Sequence, residues 1–154
     1  MPEARWSLAL RDIPTPDYAD AIIAPLPAST PTDPAVWASR LFSLRTMPRW
    51  VMGALAVRQV LVPLLGIPRA ADDVFAIREQ HEDEVLLGAD DRHLDFRCAV
   101  AVDPAARLIR VTTTVRLHGW RGQAYFLPVR VLHPLVLRAM IRSAGQSLAA
   151  ESTI

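Results

Sequence analysis

The feature that most constrains the fold is an alternation of apolar and polar residues between residues 94 and 117. Two segments show it, Leu94–Val102 and Leu108–Leu117, and Asp103-Pro104 between them has turn chemistry. Strands with this period of two place their apolar side chains on one face of a sheet and leave the polar ones, here Arg110, Thr112, Thr114 and Arg116, on a face expected to be solvated. The chain must therefore fold into an antiparallel sheet whose apolar face is covered by another layer.

The remaining elements follow from turn residues, caps and periodicity. Asp33 and Pro34 suit the start of a helix, three prolines between residues 25 and 31 mark a loop, and Gly119 and Gly122 flank a predicted turn. We predict a strand over 18–24, helices over 34–44 and 49–65, strands over 74–81, 84–87, 93–102, 107–117 and 123–129, and a closing helix over 134–144. This order predicts one α+β domain of the helix-grip kind, in which a curved antiparallel sheet wraps around a long C-terminal helix and two helices follow the first strand. The core would span about 17–145, with irregular termini at 1–16 and 146–154.

Composition excludes several classes of function. A net charge of +1 creates no field that would attract nucleic acid, and the absence of lysine excludes Schiff-base chemistry. Cys98 is the only cysteine, so an internal disulfide and a thiolate metal cluster are both excluded. We therefore expect no cofactor and no metal site. No secretion signal is visible at the N-terminus, which favours a cytoplasmic protein.

The apolar run Trp50–Ile67 has about the length of a short membrane span. Arg58 lies in its middle and Pro63 follows, and both disfavour a membrane-spanning helix. We therefore expect a helix of the core and no membrane span. Arg58 would then either extend its charged end to solvent or pair with an acid, for which Glu79 and Asp20 are candidates.

Five segments and one histidine carry a family resemblance. They are Asp33-Pro34-Ala35-Val36-Trp37, Pro48-Arg49-Trp50-Val51, Leu64-Leu65-Gly66, Asp90-Asp91-Arg92-His93-Leu94-Asp95-Phe96-Arg97 and Gly122-Gln123-Ala124-Tyr125-Phe126, with His133 soon after. From about residue 17 to 144 the chain resembles the uncharacterised bacterial domain-of-unknown-function family 2867. The resemblance implies a fold near the START and polyketide-cyclase-like helix-grip proteins, and a pocket. It implies no activity and no catalytic residue.

The first function hypothesis is a protein that holds an apolar or amphipathic small molecule between the sheet and the C-terminal helix. Its motivation is a one-faced sheet with few inward polar groups, the composition of ligand pockets. Hairpin register would place Tyr125 opposite Val115, with Thr113 beside it. The residues expected to line the pocket are Arg58, Phe75, Ile77, Phe96, Cys98, Val111, Thr113, Val115 and Tyr125.

The second hypothesis is a cofactor-independent cyclase, isomerase or dehydratase that moves protons in the same pocket. The candidate catalytic residues are Glu79, His81, Tyr125 and His133. Glu79 and His81 would share a face with Phe75 and Ile77, but the acidic turn that follows them favours a solvated position. His133 either caps the last helix or reaches the pocket mouth. Cys98 is interpreted as a small core residue.

Two further interpretations concern ligands of other kinds. His93, Asp95 and His118 could hold a metal only if their strands brought them together, and their spacing does not suggest it. Trp6, Trp50 and Trp120 offer contact area for a partner, and a homodimer is one such assembly.

Overall fold

The computed structural model of the protein describes residues 6–64 and 75–154, with side chains up to residue 58 and again from residue 75. In chain order the elements are α1 (Leu8–Asp12), β1 (Tyr18–Pro25), α2 (Pro34–Leu41), α3 (Arg49–Leu64), β2 (Ile77–Gln80), β3 (Glu84–Asp90), β4 (Leu94–Asp103), β5 (Leu108–Leu117) and α4 (Gly119–Glu151). This is an α+β fold with two helices after the first strand and a long C-terminal helix, as predicted from the order of the elements.

The five strands form one curved antiparallel sheet in the order β1-β5-β4-β3-β2. Ile22 of β1 lies opposite Val111 of β5, which lies opposite Val100 of β4. All three are buried, as the alternation predicts. β1 and β2 are the edge strands, so the last strand of the chain lies beside the first.

The inner face of the sheet is covered by α2 and the second half of α4. Asp33 caps α2 by accepting a hydrogen bond from the backbone N–H of Ala35 at 2.8 Å, and Pro34 occupies the first turn. Trp37 is fully buried, and its indole N–H donates to the carbonyl of Pro31 at 2.8 Å. The residues that α4 adds to the core are Leu137, Met140, Ile141, Ala144 and Leu148. Each large apolar side chain buried here contributes about 1.5–3 kcal/mol before entropy is subtracted.

The outer face, predicted to be solvated, is covered by α1. Ser7 caps this helix, and Leu8 and Ala9 pack against the sheet. Thr114, which was expected to point to solvent, is fully buried and donates a hydrogen bond to the carbonyl of Ala9 at 3.1 Å. Within residues 6–16, the described part of the predicted irregular terminus 1–16, the prediction is therefore wrong, because this segment contains the cover of the second face.

The C-terminal third differs from its prediction. The predicted strand over 123–129, the helix start at Pro134 and the irregular tail after 145 are all replaced by α4, one helix of 33 residues. Gly119, with φ of +69°, turns the chain out of β5 into the helix. Gly122 packs against His93, where a Cβ atom would lie 2.3 Å from the carbonyl oxygen. It is thus a packing glycine and not a turn glycine.

Helix α4 contains Pro128 and Pro134 and ends with ordered contacts. Arg40 of α2 donates hydrogen bonds to Glu151 and, at 2.6 Å, to the Ser147 hydroxyl. Leu148 is buried. The residues after 145 therefore belong to the fold.

Helix α3 covers most of the run Trp50–Ile67, whose last residues lie outside the described part of the chain. Val51 is buried, but the exposed fractions of Trp50, Met52 and Val57 are 53%, 42% and 58%. The prediction of a core helix is therefore wrong for most of the side chains that are placed, and holds for Val51. Within residues 6–64 and 75–154 the helix that is long and apolar enough to cross a membrane is α4, whose second half packs in the core here.

Candidate functional site

A polar row crosses the inner face of the sheet. Asp20 of β1 lies opposite Thr113 of β5, and Thr113 lies opposite Cys98 of β4. The next row toward the core consists of Ile22, Val111 and Val100, all apolar and buried. The row therefore places a carboxylate, a hydroxyl and a thiol on a face that is otherwise built for hydrophobic packing.

His133 of α4 reaches down to this row. Its Nδ1 atom lies 2.7 Å from Oδ2 of Asp20, and the Tyr18 hydroxyl donates to the same oxygen at 2.6 Å. The edge-on ring contacts of Tyr18, at 5.8 Å to His133 and 5.1 Å to Phe126, hold the three groups between the sheet and the helix. Side-chain exposures of 13% for Asp20 and 21% for His133 show that this site, the Asp20–His133 cluster, opens narrowly to solvent.

The electrostatics keep Asp20 ionised and Tyr18 protonated. Burial alone would raise the pKa of Asp20, but hydrogen bonds from His133 and Tyr18 outweigh it and hold the pKa below its ordinary value. Burial, followed by the hydrogen bond to Asp20, raises the pKa of Tyr18. Asp20 is therefore a carboxylate at neutral pH and only accepts hydrogen bonds. Since His133 Nδ1 faces that acceptor, Nδ1 carries the proton, and Nε2 is the nitrogen left for another partner.

Two oxygen atoms in the cluster have unused hydrogen-bonding capacity. Oδ1 of Asp20 and Oγ1 of Thr113 are buried and make no hydrogen bond of good geometry within the described part of the protein. The Thr113 hydroxyl nevertheless lies close enough to Asp20 and Cys98 to act on both groups, and it lowers the pKa of each. Such groups are rare in native proteins, where a water, an ion or a ligand usually satisfies them. Their opposed positions on β1 and β5 provide an acceptor and a hydroxyl side by side on the inner face of the sheet.

Cys98 contributes no nucleophile to this cluster. Burial raises the pKa of its thiol to about 12, so the thiol is protonated at neutral pH. Its side chain packs in the core beside Val100 and Val111. It is a small core residue, consistent with the sequence interpretation.

The aromatic residues expected in the pocket lie at one end of the inner face. Phe96 neighbours Val115 across β4 and β5. Phe75 stacks on Phe42 at 4.4 Å and meets Phe96 edge-on at 6.5 Å, yet it is 50% exposed. Ile77 is 43% exposed. Their role in binding a ligand stays a prediction.

Tyr125 does not lie where hairpin register would place it. It belongs to α4, and β5 pairs with β1 instead, so Thr113 faces Asp20. The Tyr125 hydroxyl accepts a hydrogen bond from Nε of Arg58, whose guanidinium lies 5.5 Å from the ring centroid. Neither acid proposed as a partner of Arg58 pairs with it.

Glu79 and His81 lie on the outer side of the sheet, far from His133 in the fold. A bulge between Ile77 and Glu79 breaks the parity of β2, so that Ile77 lies opposite Leu87 and Glu79 lies opposite Leu86. Glu79 binds both Arg11 and His81, and these contacts lower its pKa to about 2. The prediction that Glu79 shares a face with Phe75 and Ile77 is wrong, because one extra residue reverses the face. The solvated position that the acidic turn favoured agrees with the side-chain exposures of 35% for Glu79 and 49% for His81.

The strands bring the three residues considered for a metal close together, since the backbone N–H of His118 donates to the carbonyl of His93 at 2.8 Å, but their side chains do not form one ligand set. His93 is buried, whereas His118 Nε2 lies 2.9 Å from Oδ2 of Asp95 near the surface. No group of three or more metal-binding side chains occurs in the residues that the structure describes. The tryptophans considered for a partner, Trp6, Trp50 and Trp120, are 78%, 53% and 69% exposed. A homodimer through them stays a prediction.

Sequence reasoning did not identify Tyr18, and it considered Asp20 only as a partner for Arg58. A signal for both was present. In the predicted first strand, Tyr18, Asp20 and Ile22 have the same parity, so an inward Ile22 implies an inward carboxylate and phenol. A buried carboxylate needs a partner, and a histidine before the last helix was available.

The comparisons with known proteins place the chain in a family. The family model described as a protein of unknown function (DUF2867) matches residues 13–140. This chain belongs to that family. The match spans α-helical and β-strand elements that contain Tyr18, Asp20, Thr113 and His133. No curated protein and no solved structure matches the chain significantly.

Proposed function

We propose that the protein is a small-molecule-binding protein that holds an apolar or amphipathic ligand between the sheet and α4, with a polar group of the ligand at the Asp20–His133 cluster. The observation that supports this is the pair of buried, unpartnered oxygens on Asp20 and Thr113. A hydroxyl group fits both positions, because it can donate to Oδ1 of Asp20 and accept from Oγ1 of Thr113.

The surroundings suit the rest of such a ligand. Val115 and Phe96 lie next to the polar row on the inner face, and Cys98 closes the row with a neutral thiol. Few polar groups on an apolar wall are typical of small-molecule sites, where the polar groups fix orientation. Hydrogen bonds from Tyr18 and His133 already stabilise the carboxylate of Asp20, so the ligand need not carry a positive charge.

Native mass spectrometry of the protein purified from cells tests this proposal. A bound molecule should appear as added mass that denaturation releases. Thr113→Val, which removes the hydroxyl at constant shape, should reduce the bound fraction about tenfold, as expected for one lost hydrogen bond in a buried site. Thr112→Val is the matched control, because its hydroxyl is also buried and unpartnered but faces the other side of β5. If Thr113→Val and Thr112→Val carry equal amounts of bound molecule, the proposal is contradicted.

A second function is supported by one specific feature, the pairing of Asp20 with His133. A carboxylate that fixes the Nδ1–H tautomer of histidine leaves Nε2 as a general base. We propose as the alternative a cofactor-independent isomerase, cyclase or dehydratase in which His133 moves the proton and Asp20 orients it. Tyr18, protonated at neutral pH, is a candidate acid in the same cluster.

Exchange of substrate hydrogen with solvent tests this alternative without knowledge of the substrate. The protein is incubated with a small-metabolite extract in D₂O, and deuterium incorporation at carbon is followed by mass spectrometry. His133→Gln and Asp20→Asn should lower the exchange rate by about 10²-fold or more. Asp95→Asn, which alters the other Asp–His pair, should leave it unchanged. A compound exchanged equally by wild type and Asp20→Asn would exclude this chemistry at the cluster.

A further inference from the structure

A groove runs along the open edge of β1, between that strand and the second half of α4. Its volume is about 510 Å³. Its lining includes both Ile22, which faces the core, and Ile23, which faces the other side, so the groove follows the edge of the strand and not one face. It is distinct from the Asp20–His133 cluster, since neither Asp20 nor His133 is among its described lining residues.

The floor of the groove is apolar. Its accessible apolar surface belongs to Ile23, Pro25 and, in part, Ala149, with Ile22, Trp37 and Ile141 buried directly beneath. A Cβ atom at Gly145 would lie 3.2 Å from Pro27 and 3.4 Å from Trp37, so the glycine lets α4 pack closely there. An apolar chain could therefore lie against α4 without meeting a polar side chain on the floor.

The rim of the groove is cationic. Arg138, Arg142 and Gln146 are spaced four residues apart, which places them on one side of α4 along about 12 Å of helix. Both arginines are exposed, and no ion pair or hydrogen bond to either guanidinium occurs in the parts of the chain that the structure describes. Arg40, at the same end of the molecule, forms an ion pair with Glu151. Arg138 and Arg142 differ from it, since neither has such a partner among the described residues.

Two like charges four residues apart repel each other on a helix. An anion between them would relieve the repulsion, and guanidinium groups bind carboxylate and phosphate oxygens through paired N–H donors. The apolar floor beneath them would bury the rest of the same molecule.

We infer that this groove is a second binding site, which takes a small anionic amphipath: an apolar chain on the floor and a carboxylate or phosphate head between Arg138 and Arg142. The inference does not depend on the Asp20–His133 cluster.

Isothermal titration calorimetry with decanoate, decyl phosphate and decanol tests the site on the full chain. Decanoate or decyl phosphate should bind, and decanol should bind at least about tenfold more weakly because it has no charge for the arginines. The ratio between the two anions identifies the preferred head. Arg138→Gln/Arg142→Gln should weaken anion binding about three- to tenfold, as expected for two ion pairs at a solvent-exposed rim.

The matched control is Arg45→Gln/Arg116→Gln, which removes the same charge from exposed arginines outside the groove. It should bind like the wild type, and Asp20→Asn should also bind like the wild type if the two sites are separate. Decanol binding as tightly as decanoate, or anion binding that both double variants weaken equally, would overturn the inference. Ala149→Trp, which places an indole in the groove, should abolish binding while thermal unfolding stays cooperative.

Discussion

Each face of the sheet contains a carboxylate that is largely buried, and the two carboxylates differ in how many of their oxygens accept hydrogen bonds. On the outer face, Glu84 accepts the Ser7 hydroxyl at 2.7 Å and Arg110 at 3.3 Å through Oε1, and the N–H of Leu8 at 3.3 Å through Oε2. On the inner face, Tyr18 and His133 converge on Oδ2 of Asp20, and Oδ1 makes no well-formed hydrogen bond among the described residues, with the Thr113 hydroxyl as its neighbour.

This difference separates a structural carboxylate from a candidate functional one. Both oxygens of Glu84 are satisfied by the segment that forms α1, so Glu84 acts as an anchor for the outer cover. Asp20 is oriented on one side and open on the other, which is the arrangement expected when a group must meet a ligand. The comparison predicts that the outer carboxylate matters more for stability and the inner one more for binding.

The largest effect should come from removing the inner cover itself. A chain that ends at Pro134 lacks Leu137, Met140, Ile141 and Leu148, each worth about 1.5–3 kcal/mol of burial, which together approaches the whole stability of a domain. It should show no cooperative thermal unfolding and should aggregate. Removal of residues 152–154, which are exposed, is the control and should change the melting temperature little.

Glu84→Gln tests the outer carboxylate. We expect the free energy of unfolding to fall by about 2–3 kcal/mol, because the amide removes the charge that pairs with Arg110 and turns one acceptor into a donor. Urea unfolding measures it, with the exposed neighbour variant Glu82→Gln as the control. If Glu84→Gln lowers the free energy of unfolding no more than Asp20→Asn does, the proposed difference between the two faces is contradicted.

Asp20→Asn should cost less, about 1–2 kcal/mol at neutral pH, since one oxygen of Asp20 has no partner to lose. The pKa of Asp20 is held below its ordinary value of 3.8 in the folded protein. Its stabilising contribution is therefore present above that value and is lost as the pH falls through the lower folded pKa. Urea unfolding at several pH values should show the difference between wild type and Asp20→Asn shrinking below about pH 4. A constant difference down to pH 2 would contradict this assignment.

The smallest effect should come from the two unpartnered threonines. Replacing a buried, unpaired hydroxyl with a methyl group of the same shape is close to neutral, so Thr112→Val and Thr113→Val should each change the free energy of unfolding by less than about 1 kcal/mol. If Thr113→Val alone clearly lowers the free energy of unfolding of the ligand-free protein, the Thr113 hydroxyl has an ordered partner on the inner face. That result would sharpen the contrast between the two faces.

The fold was predictable where local patterns carry it. The alternation in β4 and β5 and the cap at Asp33 depend on neighbouring residues, and the structure confirms both. The segment 123–129 was predicted wrongly because Gly122 and Pro134 read as a turn and a helix start. Gly122 is instead required by close packing against His93, and a long helix packed against the sheet tolerates both of its prolines.

The candidate site was only partly predictable for the same reason. Thr113 and Cys98 were placed inward by strand parity. The partnership of Asp20 with His133 joins residues 113 positions apart, and it depends on β1 pairing with β5, which a chain with five strands leaves open. The bulge in β2 carried no sequence signal such as glycine or proline, so the change of parity at Glu79 could not be foreseen, although the acidic turn after it favoured a solvated position.

The prolines inside α4 determine which part of the helix opens most easily. Pro134 offers no amide to the carbonyl of Arg130, so one rung of the helix ladder is missing beside His133. Of the buried residues in α4, only Gly122 and Phe126 precede this break, and the other six follow it. Amide hydrogen exchange should therefore be faster over 119–133 than over 137–148, because the first segment can open while the second stays packed. Solvent then reaches the imidazole of His133 through a local fluctuation of one helix end, with the core intact.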